Sequence, residues 1–158
     1  MHSSRPKYIQ WSEINSVGLE RLDAEHQHLV ELINRVFDLV SEASGSDNLP
    51  FARRILNDIV EYTNVHFEHE EKVLASVQYP DLKKHQTVHQ ALRNKMLEMQ
   101  KQFDRWPTYS GAREVLRFLR EWWTSHINRT DAAYAAYAGG HLETLAISNV
   151  DAGPESAH

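Results

Sequence analysis

The chain contains no cysteine, which excludes disulfides, thiolate zinc and iron–sulfur sites, and thiol nucleophiles together. It also lacks any apolar run near the ~18 residues a membrane span requires. The stretch Met1 to Lys7 leads into polar Gln10-Trp11-Ser12-Glu13 instead of an apolar signal core. A cytoplasmic protein without a membrane partner is expected. There is no basic excess either: 17 Lys and Arg face 22 Asp and Glu, a formal charge of −5. Nucleic acid is therefore an improbable partner, because tracking phosphates needs a surplus of cations. At 158 residues, 41% hydrophobic and 25% charged, the chain has the size and composition of one globular domain. What stands out is ten histidines.

Turn signals at Gly45-Ser46-Asp47-Asn48-Leu49-Pro50, at Gln78-Tyr79-Pro80-Asp81 and from Trp106-Pro107-Thr108 to Gly111 separate four long segments. In the first, Leu19, Leu22, His26, Leu29, Ile33, Val36 and Val40 step by threes and fours, the seam of a packed helix. The second carries Ile55, Ile59, Tyr62, His66, Glu70 and Val73 on one stripe, with Pro50 suited to a first helical position. The third reads Leu82, His85, His89, Leu92, Met96, Met99 and Phe103, with Asp81 available as N-cap. The fourth reads Leu116, Leu119, Trp123, His126 and Thr130, with Asp131 just off the stripe and Gly139-Gly140 as the stop. Short connections favour antiparallel neighbours. The predicted fold is all-α, an up-down-up-down four-helix bundle with helices near 19–43, 50–76, 81–104 and 110–138. An N-terminal arm (1–18) is anchored by Trp11, the bundle spans 19–138, and a polar tail (139–158) is either disordered or docked through Leu142, Leu145 and Ile147.

With a rise of about 1.5 Å per residue, His26, His66, Glu70, His85, His89, His126 and Asp131 all fall roughly 6–18 Å from the same end of such a bundle. Imidazoles and carboxylates facing one another in an apolar core are costly without a partner. A metal answers that cost. His66/Glu70 and His85/His89 lie four apart, one above the other on a helix face, and can converge on a cation. Imidazole and carboxylate without thiolate leave iron, manganese, zinc and copper open, and the donors are too many for one ion. If two octahedral ions share both carboxylates and an oxygen bridge, about one of their twelve positions stays free. A reversible ligand needs such a vacancy.

The donors sit in a fuller pattern of Trp11, Leu22-Asp23-Ala24-Glu25-His26, His66-Phe67-Glu68-His69-Glu70-Glu71, Tyr79-Pro80 before His85 and His89, and Trp122 before His126-Ile127-Asn128-Arg129-Thr130-Asp131. This pattern resembles the hemerythrin family, specifically its single-domain bacterial kind. The resemblance covers about residues 11–137. It implies two non-haem iron ions with an oxo or hydroxo bridge: His85, His89 and His126 hold one, His26 and His66 the other, and Glu70 and Asp131 bridge them. It implies dioxygen binding at the His26/His66 iron, and small anions such as azide as further ligands. On an ideal helix His126 and Asp131 sit roughly 140° apart, an awkward spacing that the family shares.

A ferritin-like oxidase would want additional carboxylates and two Glu-x-x-His motifs, and only Glu25-His26-Gln27-His28 has that spacing. His28 is expected to be solvated, His69 to make a local hydrogen bond, Tyr134, Tyr137, Met96 and Met99 to pack, and His2, His141 and His158 to lie at the surface. Two positions depart from the family: Leu74 where Met is typical, and Trp123 where bacterial members commonly carry a Leu lining the oxygen pocket. Trp123 either reshapes that pocket or is ordinary core. An oxygen carrier, store or delivery protein is the leading reading. The alternatives are an oxygen or redox sensor acting through an unidentified protein partner, and a diiron enzyme processing peroxide or nitric oxide.

Overall fold

A computed structural model describes residues 5–42 and 47–138. The apolar seams become four long helices. In α1 (Glu20–Ser41) Leu22, His26, Leu29, Ile33, Val36 and Val40 are all buried. In α2 (Leu49–Ser76), with Pro50 in its first turn, Ile55, Ile59, His66 and Glu70 are buried as predicted, but the seam ends on Leu74 and leaves Val73 half-exposed. In α3 (Leu82–Arg105) His85, His89, Met96 and Phe103 are buried. Asp81 stands at the N-cap of α3, yet its side chain makes no capping bond. α4 (Tyr109–Trp122) starts with Thr108, whose hydroxyl accepts from the Gly111 N–H at 2.9 Å.

α4 does not run on as an α-helix. Trp123–Asp131 form a π-helical segment, and the chain returns to α-helix over 132–138. The predicted stripe is corrected there. A plain α-helix would bury Thr130 and turn Asp131 aside, whereas the wider i→i+5 turn buries Asp131 completely and leaves Thr130 half-exposed.

α1 packs on α2 and α4, and α3 packs on α2 and α4, closing the four-helix ring. Phe67, Leu29, Ile33, Leu119, Trp122, Trp123 and Ile127 belong to one large apolar cluster, and Val17, Leu22, Leu74, Tyr134 and Ala138 form a second, smaller one. Along each contributing helix the polar residues fall between the two: His26 between Leu22 and Leu29, Glu70 between Phe67 and Leu74, Asp131 between Ile127 and Tyr134. The donors therefore form a polar layer closed above and below by hydrocarbon. The arm is tied down by Tyr8 stacked on Phe37 at 4.8 Å, by the Ile9 backbone bonded twice to Asn34 at 2.9 Å, and by Trp11 against the large cluster as expected. No described helix is long and apolar enough to cross a membrane. The expected tail, with Leu142, Leu145 and Ile147, and His2, His141 and His158 lie outside the described residues.

Candidate metal centre

Each helix carries its donors to the same level because each places them at the matching depth of its buried face. His26, His66, Glu70, His85, His89, His126 and Asp131 are all at most 3% exposed and meet there. Their ligand atoms fall into two groups, one of Glu70, His85, His89 and His126, the other of His26, His66, Glu70 and Asp131. Glu70 Oε1 lies 2.5 Å from His85 Nε2 and 3.1 Å from His89 Nε2, while its Oε2 lies 3.4 Å from His66 Nε2. Asp131 divides in the same way, Oδ1 3.2 Å from His126 Nε2 and Oδ2 3.4 Å from His26 Nε2. The π segment makes this possible by turning His126 and Asp131 to one side.

All five imidazoles point Nε2 inward, and several of these nitrogens oppose one another: His26 and His66 at 2.8 Å, His89 and His126 at 3.0 Å. Two neutral imidazoles can share one hydrogen between facing nitrogens, but two aligned lone pairs repel. Neither buried oxygen of Asp131 takes a hydrogen bond among the described residues. With protons alone to balance them the groups diverge. Burial, then the neighbouring His66, pushes His26 down to about 3. Burial pushes His126 to about 3 as well. For His66 burial is outweighed by hydrogen bonds to Glu25 and Glu70, which raise it to about 9. Burial would raise Glu70, but bonds from His66, His85 and His89 hold it well below the carboxylate range. Asp131, with burial first and the Glu70 charge second, is driven well above that range. Unused oxygens beside inward-facing nitrogens are what a cation pair would satisfy, and imidazole with carboxylate suits a first-row transition metal.

Three further side chains serve this layer without a sequence signal that singles them out. Glu25 accepts from His66 Nδ1 at 3.0 Å, Glu71 from His89 Nδ1 at 2.9 Å, and the buried Tyr134 hydroxyl donates to Glu70 Oε2 at 3.0 Å. Glu25 and Glu71 each adjoin a donor in sequence, so helical geometry alone turns them off its face; only the neighbouring helix shows that they reach a histidine's outer edge. Tyr134 packs, as expected, but also bonds. His28 is solvated, and His69 makes a hydrogen bond, though to Glu25 of the neighbouring helix α1 at 2.8 Å and not the local one expected. Trp123 is buried edge-on to His26, ring centres 6.0 Å apart and planes at 84°.

Residues 17–138 match the family described as the hemerythrin HHE cation binding domain. A bacteriohemerythrin of Stenotrophomonas maltophilia is 25% identical over 145 residues, 92% of this chain and 91% of that protein. One from Clostridium acetobutylicum is 28% identical over 125 residues, 78% of this chain and 96% of that protein. A crystal structure of a hemerythrin with a leucine-to-alanine substitution superposes with a TM-score of 0.70 at 23% identity, covering 83% of this chain and 97% of that one. The wild-type hemerythrin structure gives 0.68 at 23% identity, covering 81% and 95%. Those two likenesses establish the four-helix bundle.

Proposed function

The chain belongs to the hemerythrin HHE cation-binding family, and from that premise we propose that it binds dioxygen reversibly at a non-haem diiron centre, as an oxygen carrier, store or delivery protein. The observation that carries this reading is the division of Glu70 and Asp131, each turning one oxygen to the His26/His66 side and the other to the His85/His89/His126 side. His85, His89 and His126 would hold one iron and His26 and His66 the other, with both carboxylates bridging. When bound, a reduced iron pair supplies the reversible redox chemistry toward dioxygen that no side chain offers. The protein's own part is to hold donors and keep water out. Leu22, Leu74 and Tyr134 cap the layer on one side, and Phe67, Trp122 and Ile127 close it on the other. The pair side has one histidine fewer, and Trp123 stands edge-on to its His26, so dioxygen or a small anion such as azide bound on that side would meet Trp123.

Metal analysis of the purified protein, anaerobic reduction and an optical titration with oxygen test the reading. Two irons per chain and a spectrum that appears with oxygen and vanishes on its removal are expected. A fully loaded protein with one zinc and no iron, or turnover of peroxide or nitric oxide in place of reversible binding, would overturn it. A sensor is the second reading, favoured by one contact: Asn15 of the arm donates to Asn128 at 2.5 Å, within the π segment that carries His126 and Asp131. An oxygen-dependent partner would distinguish it.

A further inference from the structure

We propose that Arg21, His69 and Glu25 form an outer clamp that positions His66 and sets how much electron density it delivers to the metal on the His26 side. The inference rests on the diiron reading and concerns residues beyond its ligands. Glu25 has a histidine on each oxygen, His66 Nδ1 at 3.0 Å from Oε2 and His69 Nδ1 at 2.8 Å from Oε1, and its side chain is only 8% exposed. Arg21 stands over the outer end, Nη2 at 3.1 Å from His69 Nε2 and Nε at 3.6 Å from Glu25 Oε1.

The tautomers follow from chemistry. A guanidinium only donates, so His69 Nε2 accepts from Arg21 and His69 Nδ1 carries the hydrogen given to Glu25. His66 turns Nε2 toward Glu70 and the centre. With that nitrogen on a metal, the hydrogen of His66 resides on Nδ1 and is donated to Glu25 Oε2. One carboxylate charge is thus shared between an inner histidine and an outer one at the protein surface, where His69 is 27% exposed. A carboxylate behind a ligating histidine orients the ring and raises its basicity. Whatever His69 draws from Glu25 is withheld from His66. The centre is connected to the surface here through its own ligand, whereas the outer nitrogens of His26 and His126 are buried without a partner among the described residues.

This arrangement requires opposite responses from Glu25 and His69. Glu25→Gln keeps an oxygen for His66 but removes the charge, making the iron less electron-rich and favouring its reduced form. His69→Ala, made on an Arg21→Gln background because the Arg21 guanidinium 3.6 Å away would otherwise take up Glu25 Oε1, removes the competing donor, returns the carboxylate to His66 and favours the oxidised form. A purely structural role would not give opposite signs. Both variants of the full iron-loaded chain are compared with their parents, the wild type and Arg21→Gln, by metal content, by poising the ferric–ferrous equilibrium against redox mediators, and by the absorption band of the azide complex. Glu25→Gln is expected to move the equilibrium about tenfold toward reduction, ~59 mV for a one-electron step. His69→Ala is expected to move it several-fold the other way with iron content unchanged, the azide bands shifting in opposite directions. Should Glu25→Gln lose iron, His69→Ala decides: a shift toward the oxidised form supports the clamp, and no shift or a shift toward reduction overturns it. A wild type that takes up no iron pair removes the diiron reading and the clamp with it. A wild type that loads iron and binds oxygen, with variants that do not move, rejects the clamp alone.

Discussion

Trp123 packs edge-on against the candidate ligand His26 without being a donor itself, and its effect on access can be tested. It is buried against His26 on the side with fewer histidines, and an indole there leaves less room than a leucine. Trp123→Leu should therefore speed azide binding to the ferric protein and dioxygen binding to the reduced one, with iron content unchanged. Stopped-flow association rates measure it, and equal or slower binding in the loaded variant would return Trp123 to plain packing. The change should also cost roughly 2–3 kcal/mol of stability, as large-to-small core substitutions commonly do, so urea denaturation belongs beside the kinetics. A second contrast at this scale separates the histidines. His85→Ala removes a buried donor 2.5 Å from Glu70 and should lower iron content and stability together. His28→Ala, on a solvated ring near Glu31, should do neither; equal iron loss from both would overturn the ligand assignment.

At the scale of the element, the π segment turns an unfavourable spacing into a usable one. His126 and Asp131 are five apart and both face the centre because Trp123–Asp131 are wound as a π-helix. An α-helix brings residues four apart onto one face. Deleting the exposed Arg129 should thus let the segment relax to α-helix with histidine and aspartate still aligned, and 132–138 still in place. Inserting an alanine after Ile127 adds a residue that no turn absorbs and should swing the aspartate away. Iron per chain and the melting temperature check both: near-normal loading for the deletion and clear loss for the insertion are expected, and the reverse order would show that the π geometry itself is required.

The whole molecule is organised as a polar layer between two apolar clusters, with donors drawn from α1, α2, α3 and the continuation of α4. Metal at that level would tie all four helices, and a ligand that binds only the folded state stabilises it by mass action. Removing iron with a chelator should lower the melting temperature and the urea midpoint markedly while much of the helical signal remains, because the large cluster of Leu29, Ile33, Leu119 and Trp122 does not depend on the ions. Circular dichroism with and without chelator checks this, and identical melting curves would mean that the ions contribute nothing to folding.

Residue spacing alone determined the four helices and the common depth of His26, His66, Glu70, His85, His89, His126 and Asp131, since helix period and rise are local properties that a linear sequence carries. The resemblance to hemerythrin rested on those residues together with Trp11, Tyr79-Pro80, Trp122 and the residues flanking the donors. The handedness of each contact was not legible there. Asp131 reads as off the stripe until the π turn is seen, Val73 reads as core where Leu74 is, and Glu25, Glu71 and Tyr134 carry no mark that separates them from a solvated acid or a packing ring. These are matters of which atom of one helix reaches which atom of another. Only the tertiary structure decides them, because a hydrogen bond between side chains on different helices depends on their relative rotation and approach, which no single helix encodes.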